Sequence, residues 1–480
     1  MSVTPPALVW FREDFRLADN AALADAAQSG GPLICFVILD EARLPGAAAR
    51  WWLDGAVRAL DARLKGMGGA LHVFRGPSQS VLRRIVEQTS ARSVFWNRRY
   101  DQKGRETDAA IKAELKDAGI VAHSHAGALL NEPWTVRTRS GTPFQVFTAF
   151  WRGVRDLGEP RPPLPEPKTM SFAGLPESLK RDCLRPDEYA LRPQHPDWAS
   201  GLRDAWTPGE AEAHDLLDSF LAHDLTAYAT SRDFPGQDTS SHLSPYLRSG
   251  HITPAQVWHA VADRTEAASE TDAAKFLAEL GWREFAWSLL FAHDDLATRN
   301  LRPAFDAMPW RHDPEGLKAW QQGLTGYPLV DAGMRELWQT GWMHNRVRMV
   351  VASFLVKHLL IDWREGERWF ADTLVDYDPA SNAMNWQWNA GTGVESAPFF
   401  RVMNPILQSR KFDPDGTYIR RWVPELVRLP DSVIHTPWEA DPDLLRHAGI
   451  APGQTYPAPI VDHREARERA LAAWRGLKAD

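Results

Sequence analysis

Two patterns of hydrophobic and polar positions divide the chain. From residue 7 to residue 125, short apolar runs alternate with longer stretches whose apolar residues recur at helical spacing. This alternation indicates strand, helix and strand in succession. The predicted strands cover residues 7–11, 33–39, 70–74, 93–96 and 120–125, and helices are predicted at 51–64 and 104–118. The pattern therefore predicts an α/β domain built on a doubly wound, Rossmann-like parallel sheet.

The second half of the chain has a different pattern. Nine prolines lie between residues 155 and 207, which indicates a long connector. Beyond it strand patterns disappear, and helices are predicted at 211–222, 254–264, 273–291, 317–323, 334–338, 347–361 and 365–374. We therefore expect an α/β domain at 1–133, an interdomain linker at 134–207 and an all-helical domain at 208–480.

Composition fits a globular chain and singles out one residue type. Hydrophobic residues make up 44% and charged residues 24%, which excludes collagen-like and low-complexity architectures. The 22 tryptophans either fill an extended core or surround an aromatic ligand. The chain has only two cysteines and no signal-like start, which indicates a cytoplasmic protein. No apolar run approaches the roughly 20 residues that a membrane span needs, so we expect no membrane contact.

Standard catalytic motifs are missing from the sequence. It has no phosphate-binding loop, no H-E-x-x-H and no cysteine cluster for zinc. The first segment with chemistry of its own is 238–245, where Ser240 and Ser241 precede Pro245 and an apparent helix start. Hydroxyls and free N–H groups at a helix start hold phosphate, and an ordinary helix cap explains the same pattern.

A second segment combines opposite charges with an aromatic ring. Glu279 and Arg283 lie four residues apart, with Trp282 beside them. At helical spacing this arrangement suits a surface ion pair over a core tryptophan. It equally suits the edge of a stacked base or flavin, which needs a carboxylate, a guanidinium and an aromatic plane.

Two further segments place polar groups in apolar surroundings. Asn345 and Arg348 open the most apolar helix of the chain, where each unpaired polar group costs about 1–3 kcal/mol. A core salt bridge from Arg348 to Asp376 would satisfy the guanidinium. After Asp376 the chain also carries Asn382 and Trp386, four residues apart, which suit a polar heterocycle with an aromatic floor. Helix capping by the aspartates explains part of this segment as well.

Together these segments resemble the photolyase and cryptochrome family, specifically the class I bacterial photolyases that split cyclobutane pyrimidine dimers. The similarity opens at residues 9–17, where V-W-F-R-E-D-F-R-L is close to the family's W-F-R-x-D-L-R, and it extends past 419–426. The stretches 340–349, 362–368 and 399–405 are its most specific parts.

The resemblance implies an FAD that binds in a U-shape inside the helical domain and is active in its reduced form. Asn382 would stand beside flavin N5, and Ser240 replaces a common threonine while keeping the hydroxyl. The residues that the resemblance assigns to the cofactor are Tyr228, Ser240, Ser241, Leu243, Ser244, Arg283, Asn345, Arg348, Asp376, Asp378 and Asn382.

The resemblance also implies light-dependent repair, in which photoexcited reduced FAD sends an electron to a flipped-out dimer and regains it after the ring splits. The implied catalytic residues around the dimer are Glu279, Trp282, Asn345, Met349 and Trp388. Family members that act on the (6-4) photoproduct carry a His-rich equivalent of the Asn345 region, so the sequence favours the cyclobutane dimer. Trp310, Trp363 and Trp386 match an electron-transfer chain that photoreduces oxidised FAD.

Ultraviolet-damaged DNA is the implied partner of a monomeric protein. Because the net charge is −7, phosphate contact needs a local basic patch. Arg232, Arg346 and Arg401 match family positions near the strand, and residues 401–421 hold five basic residues against two acidic ones. The N-terminal domain would hold a folate or deazaflavin antenna, or none, since Arg99 departs from the deazaflavin pattern and Lys103-Gly104 from the folate pattern.

Two alternatives differ from a repair enzyme. A cryptochrome-type blue-light photoreceptor would keep FAD and the tryptophan chain without repairing DNA. A nucleotide-binding protein without catalysis would require the aromatic and polar clusters to be features of the core.

Overall fold

A five-stranded parallel sheet forms the first part of the protein. The computed structural model describes residues 4–264 and 270–477. Its strands are β1 (Ala7–Trp10), β2 (Leu33–Leu39), β3 (Leu71–Arg75), β4 (Ser93–Asn97) and β5 (Val121–His125). They lie in the order β3-β2-β1-β4-β5. Each strand ends within one residue of its predicted bounds, so the predicted sheet is confirmed.

Helices cover the sheet and make up the rest of the chain. Around the sheet lie α1 (Ala21–Gln28), α2 (Ala47–Gly66), α3 (Ser78–Thr89) and α4 (Gln102–Asp117). They are followed by α5 (Phe147–Asp156), α6 (Glu177–Lys180), α7 (Ser200–Ala205), α8 (Glu210–His223), α9 (Tyr228–Ser231), α10 (Ser244–Ser249), α11 (Pro254–Ala262), α12 (Glu270–Ala292), α13 (Pro314–Gln322), α14 (Pro328–Thr340), α15 (Asn345–Ser353), α16 (Trp363–Thr373), α17 (Pro379–Ala390), α18 (Pro405–Phe412), α19 (Thr417–Trp422), α20 (Asp431–Ile434), α21 (Pro442–Ala448) and α22 (His463–Gly476). Within the described ranges, none of them has the length and apolar character needed to cross a membrane.

The sheet is buried on both faces because its side chains alternate between two cores. Val9 packs in one hydrophobic cluster with residues of α1 and α2, including Trp52. Trp10 packs in the opposite cluster with residues of α3 and α4. The strand order reverses at β1, which lies between β2 and β4, and doubly wound sheets bind ligands at the carboxyl ends of the strands near such a reversal.

The segment that joins the sheet to the helical region is more structured than its prolines indicate. Helix α5 packs against α12, with Phe150 and Val154 fully buried. Its apolar residues Phe147, Phe150, Trp151 and Val154 follow helical spacing, which was the available signal for this helix. Between residues 157 and 199, all of which the structure describes, the short α6 (Glu177–Lys180) is the only helix.

One predicted helix is divided in the structure. The apolar run 347–361 forms α15 to Ser353 and then a π-helical turn, Phe354–His358. Leu360 adopts a positive φ of 57°, which a right-handed helix cannot include. The apolar pattern alone does not reveal this interruption, because every residue of the π-helical turn is buried.

The carboxyl end of the sheet contacts the helical region through buried hydrogen bonds. Arg16 follows β1, and its guanidinium donates to the carbonyl of Gly250 at 3.0 Å and to that of Gly127 at 2.9 Å. Trp52 of α2 donates its indole N–H to Ser249 Oγ at 2.9 Å. These bonds hold the end of α10 against the strand ends of the sheet.

Candidate active site

Helix α17 lies at the centre of the predicted site. It packs against α12, α15 and α16, so residues from four helices surround one region. Trp282 comes from α12, Met349 from α15 and Trp388 from α17. Three of the segments selected from the sequence therefore lie on helices that neighbour one another in the structure.

A buried aspartate, Asp376, is hydrogen-bonded to two other predicted cofactor residues. Arg348 donates to Asp376 Oδ2 at 2.8 Å, and the hydroxyl of Ser244 donates to the same oxygen at 2.7 Å. Arg348 also donates from Nε to the Met343 carbonyl at 2.7 Å. The predicted pair of Arg348 and Asp376 is therefore present. It fixes the guanidinium at the base of α15.

The second oxygen of this aspartate provides a test of whether a polar ligand fits. Asp376 Oδ1 is buried and has no hydrogen-bond partner within the protein. Buried carboxylate oxygens are nearly always paired, so this atom is free to accept a hydrogen bond from a ligand. A nucleoside or flavin ligand supplies hydroxyl and N–H donors, and Arg348 provides positive charge alongside. The residues present thus fit the cofactor expected from the sequence.

Asn382 is held by a carboxylate that sequence reasoning did not select. Its amide nitrogen donates to the Glu367 carbonyl at 3.1 Å and to Glu367 Oε1 at 3.0 Å, which uses both N–H groups. Burial raises the pKa of Glu367, while the hydrogen bond from Asn382 acts to lower it. This pairing leaves the Asn382 carbonyl oxygen as the group available to a ligand. Glu367 falls in 362–368, a stretch singled out only for its resemblance.

Both carboxylate oxygens of Asp378 accept hydrogen bonds from groups of the protein. Its Oδ1 accepts the N–H of Ser381 at 2.8 Å, which caps α17, and its Oδ2 accepts the indole N–H of Trp287 at 3.0 Å. The capping interpretation therefore describes this residue, and its assignment to the cofactor stays a prediction.

The remaining predicted cofactor residues lie around α9 and α10. Tyr228 begins α9 and is buried, and Leu243 is buried immediately before α10. Ser240 and Ser241 are half-buried in the preceding loop. No side chain caps α10, so the serines do not form the ordinary helix cap that the sequence allowed.

The predicted ion pair between Glu279 and Arg283 is wrong. Glu279 instead forms an ion pair with Arg232 and has Lys275 Nζ at 3.4 Å. Arg283 donates to the Ala128 carbonyl at 2.9 Å, which ties α12 to the end of the α/β region. The i, i+4 spacing permits either choice, and contacts distant in sequence decide it.

The predicted catalytic residues line neighbouring helices with different degrees of exposure. Trp282 stacks on Phe147 of α5, with ring centroids 3.8 Å apart and an interplanar angle of 8°. Asn345 is exposed at the start of α15, and Met349 and Trp388 are half-buried. An aromatic plane, an amide and a thioether are therefore available on the outer parts of α12, α15 and α17.

The three predicted electron-transfer tryptophans range from core to surface. Trp386 and Trp363 are fully buried, and Trp310 is half-buried. The indole N–H of Trp363 donates to Asn300 Oδ1 at 2.8 Å. The close ring contacts of Trp386 are with Trp320, at 6.2 Å, and Phe370, at 5.1 Å. Trp320 is a buried neighbour that the sequence analysis did not identify.

The expected DNA-contacting arginines have different surroundings. Arg232 is paired with Glu279 and largely buried, and Arg346 is bonded to Asp233 at 2.6 Å and lies over the Phe412 ring at 4.4 Å. Arg401 is exposed. In the segment 401–421, the other exposed basic residues are Arg410, Lys411 and Arg421. A basic surface is therefore present near Arg401, whereas Arg232 and Arg346 already have acidic partners.

A cavity lies at the carboxyl end of the sheet, where the strand order reverses. Arg12, Glu13, Asn97, Arg99 and Arg248 are among its lining residues. Burial acts to raise the pKa of Glu13, but the charges of Arg248 and Arg99 outweigh it and hold that pKa below its usual range. The cavity carries an excess of guanidinium groups and includes part of the region expected to contact an antenna.

The protein thus consists of a parallel sheet joined to a helical region that carries a polar, aromatic-lined site. Residues 276–476 match the family described as the FAD binding domain of DNA photolyase, and residues 7–168 match the family described as DNA photolyase.

Relatives over the full length agree with both matches. A deoxyribodipyrimidine photo-lyase of Agrobacterium fabrum is 50% identical, over 99% of this chain and 98% of its own length. Cryptochrome-1 of Arabidopsis thaliana is 38% identical, over 96% of this chain and 69% of its own length. The chain belongs to the DNA photolyase and cryptochrome family. The predicted FAD-binding helical region and the predicted photolyase enzyme are confirmed.

Two solved structures share the fold. A bacterial class III photolyase from Agrobacterium tumefaciens has a TM-score of 0.96 and 49% identity, covering 99% of this chain and 98% of its own. An archaeal photolyase from Sulfolobus tokodaii, whose structure contains two FAD molecules, has a TM-score of 0.81 and 30% identity, covering 98% of this chain and 100% of its own.

Proposed function

We propose that this protein repairs cyclobutane pyrimidine dimers in DNA under blue light. Bound in its reduced form and excited by blue light, FAD would supply the electron needed to split the dimer. The photo-lyase name of the relative at 50% identity supports the reaction type. The observation that carries the cofactor part of the proposal is the buried Asp376 oxygen without a partner, beside Arg348 and Ser244.

The proposed cofactor contacts follow from this cluster. Arg348 and Asp376 would orient the ligand by charge and hydrogen bonding, and Ser240 and Ser241 would provide hydroxyls on its phosphate side. Asn382 would present its carbonyl oxygen, since Glu367 occupies its amide nitrogen. Tyr228, Leu243, Ser244, Arg283, Asn345 and Asp378 complete the proposed set.

The proposed lesion contacts lie on the outer parts of α12, α15 and α17. Trp282 and Trp388 would pack against the two pyrimidine rings, while Asn345 and Met349 would contact their edges. Glu279 would bind N–H groups on the polar edge of the dimer, since an ionised carboxylate accepts hydrogen bonds. Flipping a damaged pair costs less than flipping an intact pair, because stacking is already weakened at the lesion.

For the subclass, the comparisons favour a revision of the sequence-based assignment. The solved structure at 49% identity is that of a bacterial class III photolyase, whereas the motifs indicated class I. We therefore propose class III for this chain. The substrate proposal stays the same, because it rests on Asn345 and on the absence of a His-rich equivalent there.

Three further assignments are part of the proposal. The photoreduction of oxidised FAD would run through Trp386, Trp363 and Trp310. An exposed basic surface that includes Arg401 would bind the DNA backbone, and Arg232 and Arg346 would lie nearer the lesion. Residues 1–133 would form an antenna domain, 134–207 a linker and 208–480 the catalytic domain. The N-terminal α/β domain would hold a folate or deazaflavin antenna, or none.

The direct test is the loss of dimers from an oligonucleotide that contains one cyclobutane dimer. Reduced protein is incubated with it under blue light, beside a dark control and a matched oligonucleotide containing a (6-4) photoproduct. We expect light-dependent loss of the cyclobutane dimer only. If flavin photoreduces while both lesions persist, the cryptochrome alternative, supported by the 38% identity to Cryptochrome-1, replaces the proposal.

A further inference from the structure

A cluster of metal-ligating side chains lies on the α/β region, apart from the proposed active site. Asp25 comes from α1, and His123 and His125 come from β5, the edge strand of the sheet. One ligand atom from each residue lies within 4.8 Å of the other two. In the described ranges, these residues are the one group of three or more His, Cys, Asp or Glu side chains close enough to hold a metal ion.

The backbone places these groups before any ion binds. His123 and His125 are two apart on a strand, so both rings project from the same face. Phe95 of β4 stacks on the His123 ring at 4.3 Å with an interplanar angle of 9°, which sets its orientation. The two imidazole rings are themselves close to parallel, with an angle of 3° between them.

The distances around Asp25 match those within a coordination shell. Its Oδ2 atom lies 3.3 Å from His123 Nδ1 and 3.2 Å from His125 Nε2. Zinc bound to nitrogen at about 2.0–2.1 Å in a tetrahedral site separates neighbouring ligand atoms by roughly 3.3 Å. The carboxylate oxygen therefore already has the spacing from both nitrogens that a shared ion requires.

One of the nitrogen atoms is left unsatisfied by the protein. His125 Nε2 is buried and forms no side-chain hydrogen bond of good geometry within the described protein, although Asp25 Oδ2 lies 3.2 Å away. Buried polar atoms of this kind usually have a partner. An ion between His125 and Asp25 would supply one. Since all three side chains are half-buried, solvent water can complete the coordination shell.

We propose that Asp25, His123 and His125 bind one divalent transition-metal ion of the zinc type. Two imidazole nitrogens and one carboxylate oxygen suit Zn²⁺, Ni²⁺ or Co²⁺, whereas Mg²⁺ and Ca²⁺ prefer oxygen ligands alone. The bound ion would link α1 to the edge strand β5. It would thereby stabilise the α/β region against local opening, because it binds only the folded arrangement.

Calorimetric titration with Zn²⁺ tests this proposal on the full chain, purified without a polyhistidine tag and stripped with chelator. We expect one equivalent to bind at pH 7.5, no comparable binding of Mg²⁺, and a Zn²⁺-dependent rise in melting temperature. His125→Ala and Asp25→Asn should each weaken Zn²⁺ binding at least tenfold. His312→Ala, which removes an exposed histidine elsewhere, is the matched control and should bind as the wild type does.

Two outcomes would overturn the proposal. One is wild-type protein that binds no Zn²⁺ equivalent. The other is a set of variants that all keep wild-type affinity, which would place the ion elsewhere and leave Asp25 as an ordinary partner of the histidines. If circular dichroism shows that a variant does not fold, the test is the visible absorption of wild-type protein during titration with Co²⁺. A spectrum without a change on binding would contradict imidazole ligation.

Discussion

The contact between Gly366 and Trp386 gives a sharp prediction about the proposed electron-transfer chain. Gly366 lies within α16, and a Cβ atom added there would come 2.1 Å from the indole of Trp386, where ordinary contacts are 3.4–4 Å. Trp386 is itself fully buried between Trp320 and Phe370. Gly366→Ala therefore requires the Trp386 ring or the α16 backbone to move by more than an ångström.

The expected magnitude combines two opposing effects. Overpacking a filled core costs about 1–3 kcal/mol in the free energy of unfolding. Replacing glycine by alanine inside a helix recovers about 1 kcal/mol at most. For Gly366→Ala the overlap is severe and its neighbour has little room, so we expect a net destabilisation of about 1–2 kcal/mol. The displaced ring should also slow photoreduction of oxidised FAD.

The assay is urea unfolding followed by tryptophan fluorescence, together with the rate of flavin photoreduction. Gly66→Ala is the control, because Gly66 is the last residue of helix α2 and an added Cβ there meets nothing within 4 Å. The control should be neutral or slightly stabilising. If Gly366→Ala proves as stable as Gly66→Ala and photoreduces normally, the packing argument for Trp386 is refuted.

Three more predictions concern the site and the core. Arg348→Met should lower retention of FAD roughly 10–100-fold, measured by flavin absorbance after dialysis, because a charged hydrogen bond worth about 1.5–3 kcal/mol is lost beside Asp376. Trp386→Phe should slow photoreduction yet leave dimer repair by chemically reduced protein unchanged. Burial raises the pKa of Glu336 from 4.5 to about 7, although a hydrogen bond from Tyr418 acts to lower it. The contribution of Glu336 to the free energy of unfolding is fully present below pH 4.5 and is lost as the pH rises to 7. Glu336→Gln should therefore reduce the decrease in the urea midpoint over that pH range.

The sequence predicted the sheet more fully than the helical region. Each strand is an apolar run bounded by turn residues, and a parallel sheet buried on both faces leaves little choice for such runs. Helix boundaries were less certain where one apolar stretch contains a change of backbone geometry. Leu360, at a φ of 57°, is the example, since its side chain is as apolar as those of its helical neighbours.

Within the site, prediction succeeded for pairs that burial makes obligatory and failed where exposed partners compete. Arg348 enters an apolar helix and has to find a carboxylate, so Asp376 could be named in advance. Glu279 lies in a partly exposed position with several cations within reach, and spacing along α12 selected the wrong one. Glu367 was not selected because its role depends on Asn382, fifteen residues away on another helix.

The pairing of Arg232 with Glu279 links two roles that the sequence analysis kept separate. Arg232 was assigned to the DNA strand and Glu279 to the lesion, yet the two side chains form one ion pair, with Lys275 Nζ 3.4 Å from the same carboxylate. Under the proposed function, a DNA phosphate near Arg232 would compete with Glu279 for the guanidinium. The carboxylate would then turn from its internal partner toward the polar edge of the dimer. Backbone binding and lesion recognition would in this way depend on one shared arginine.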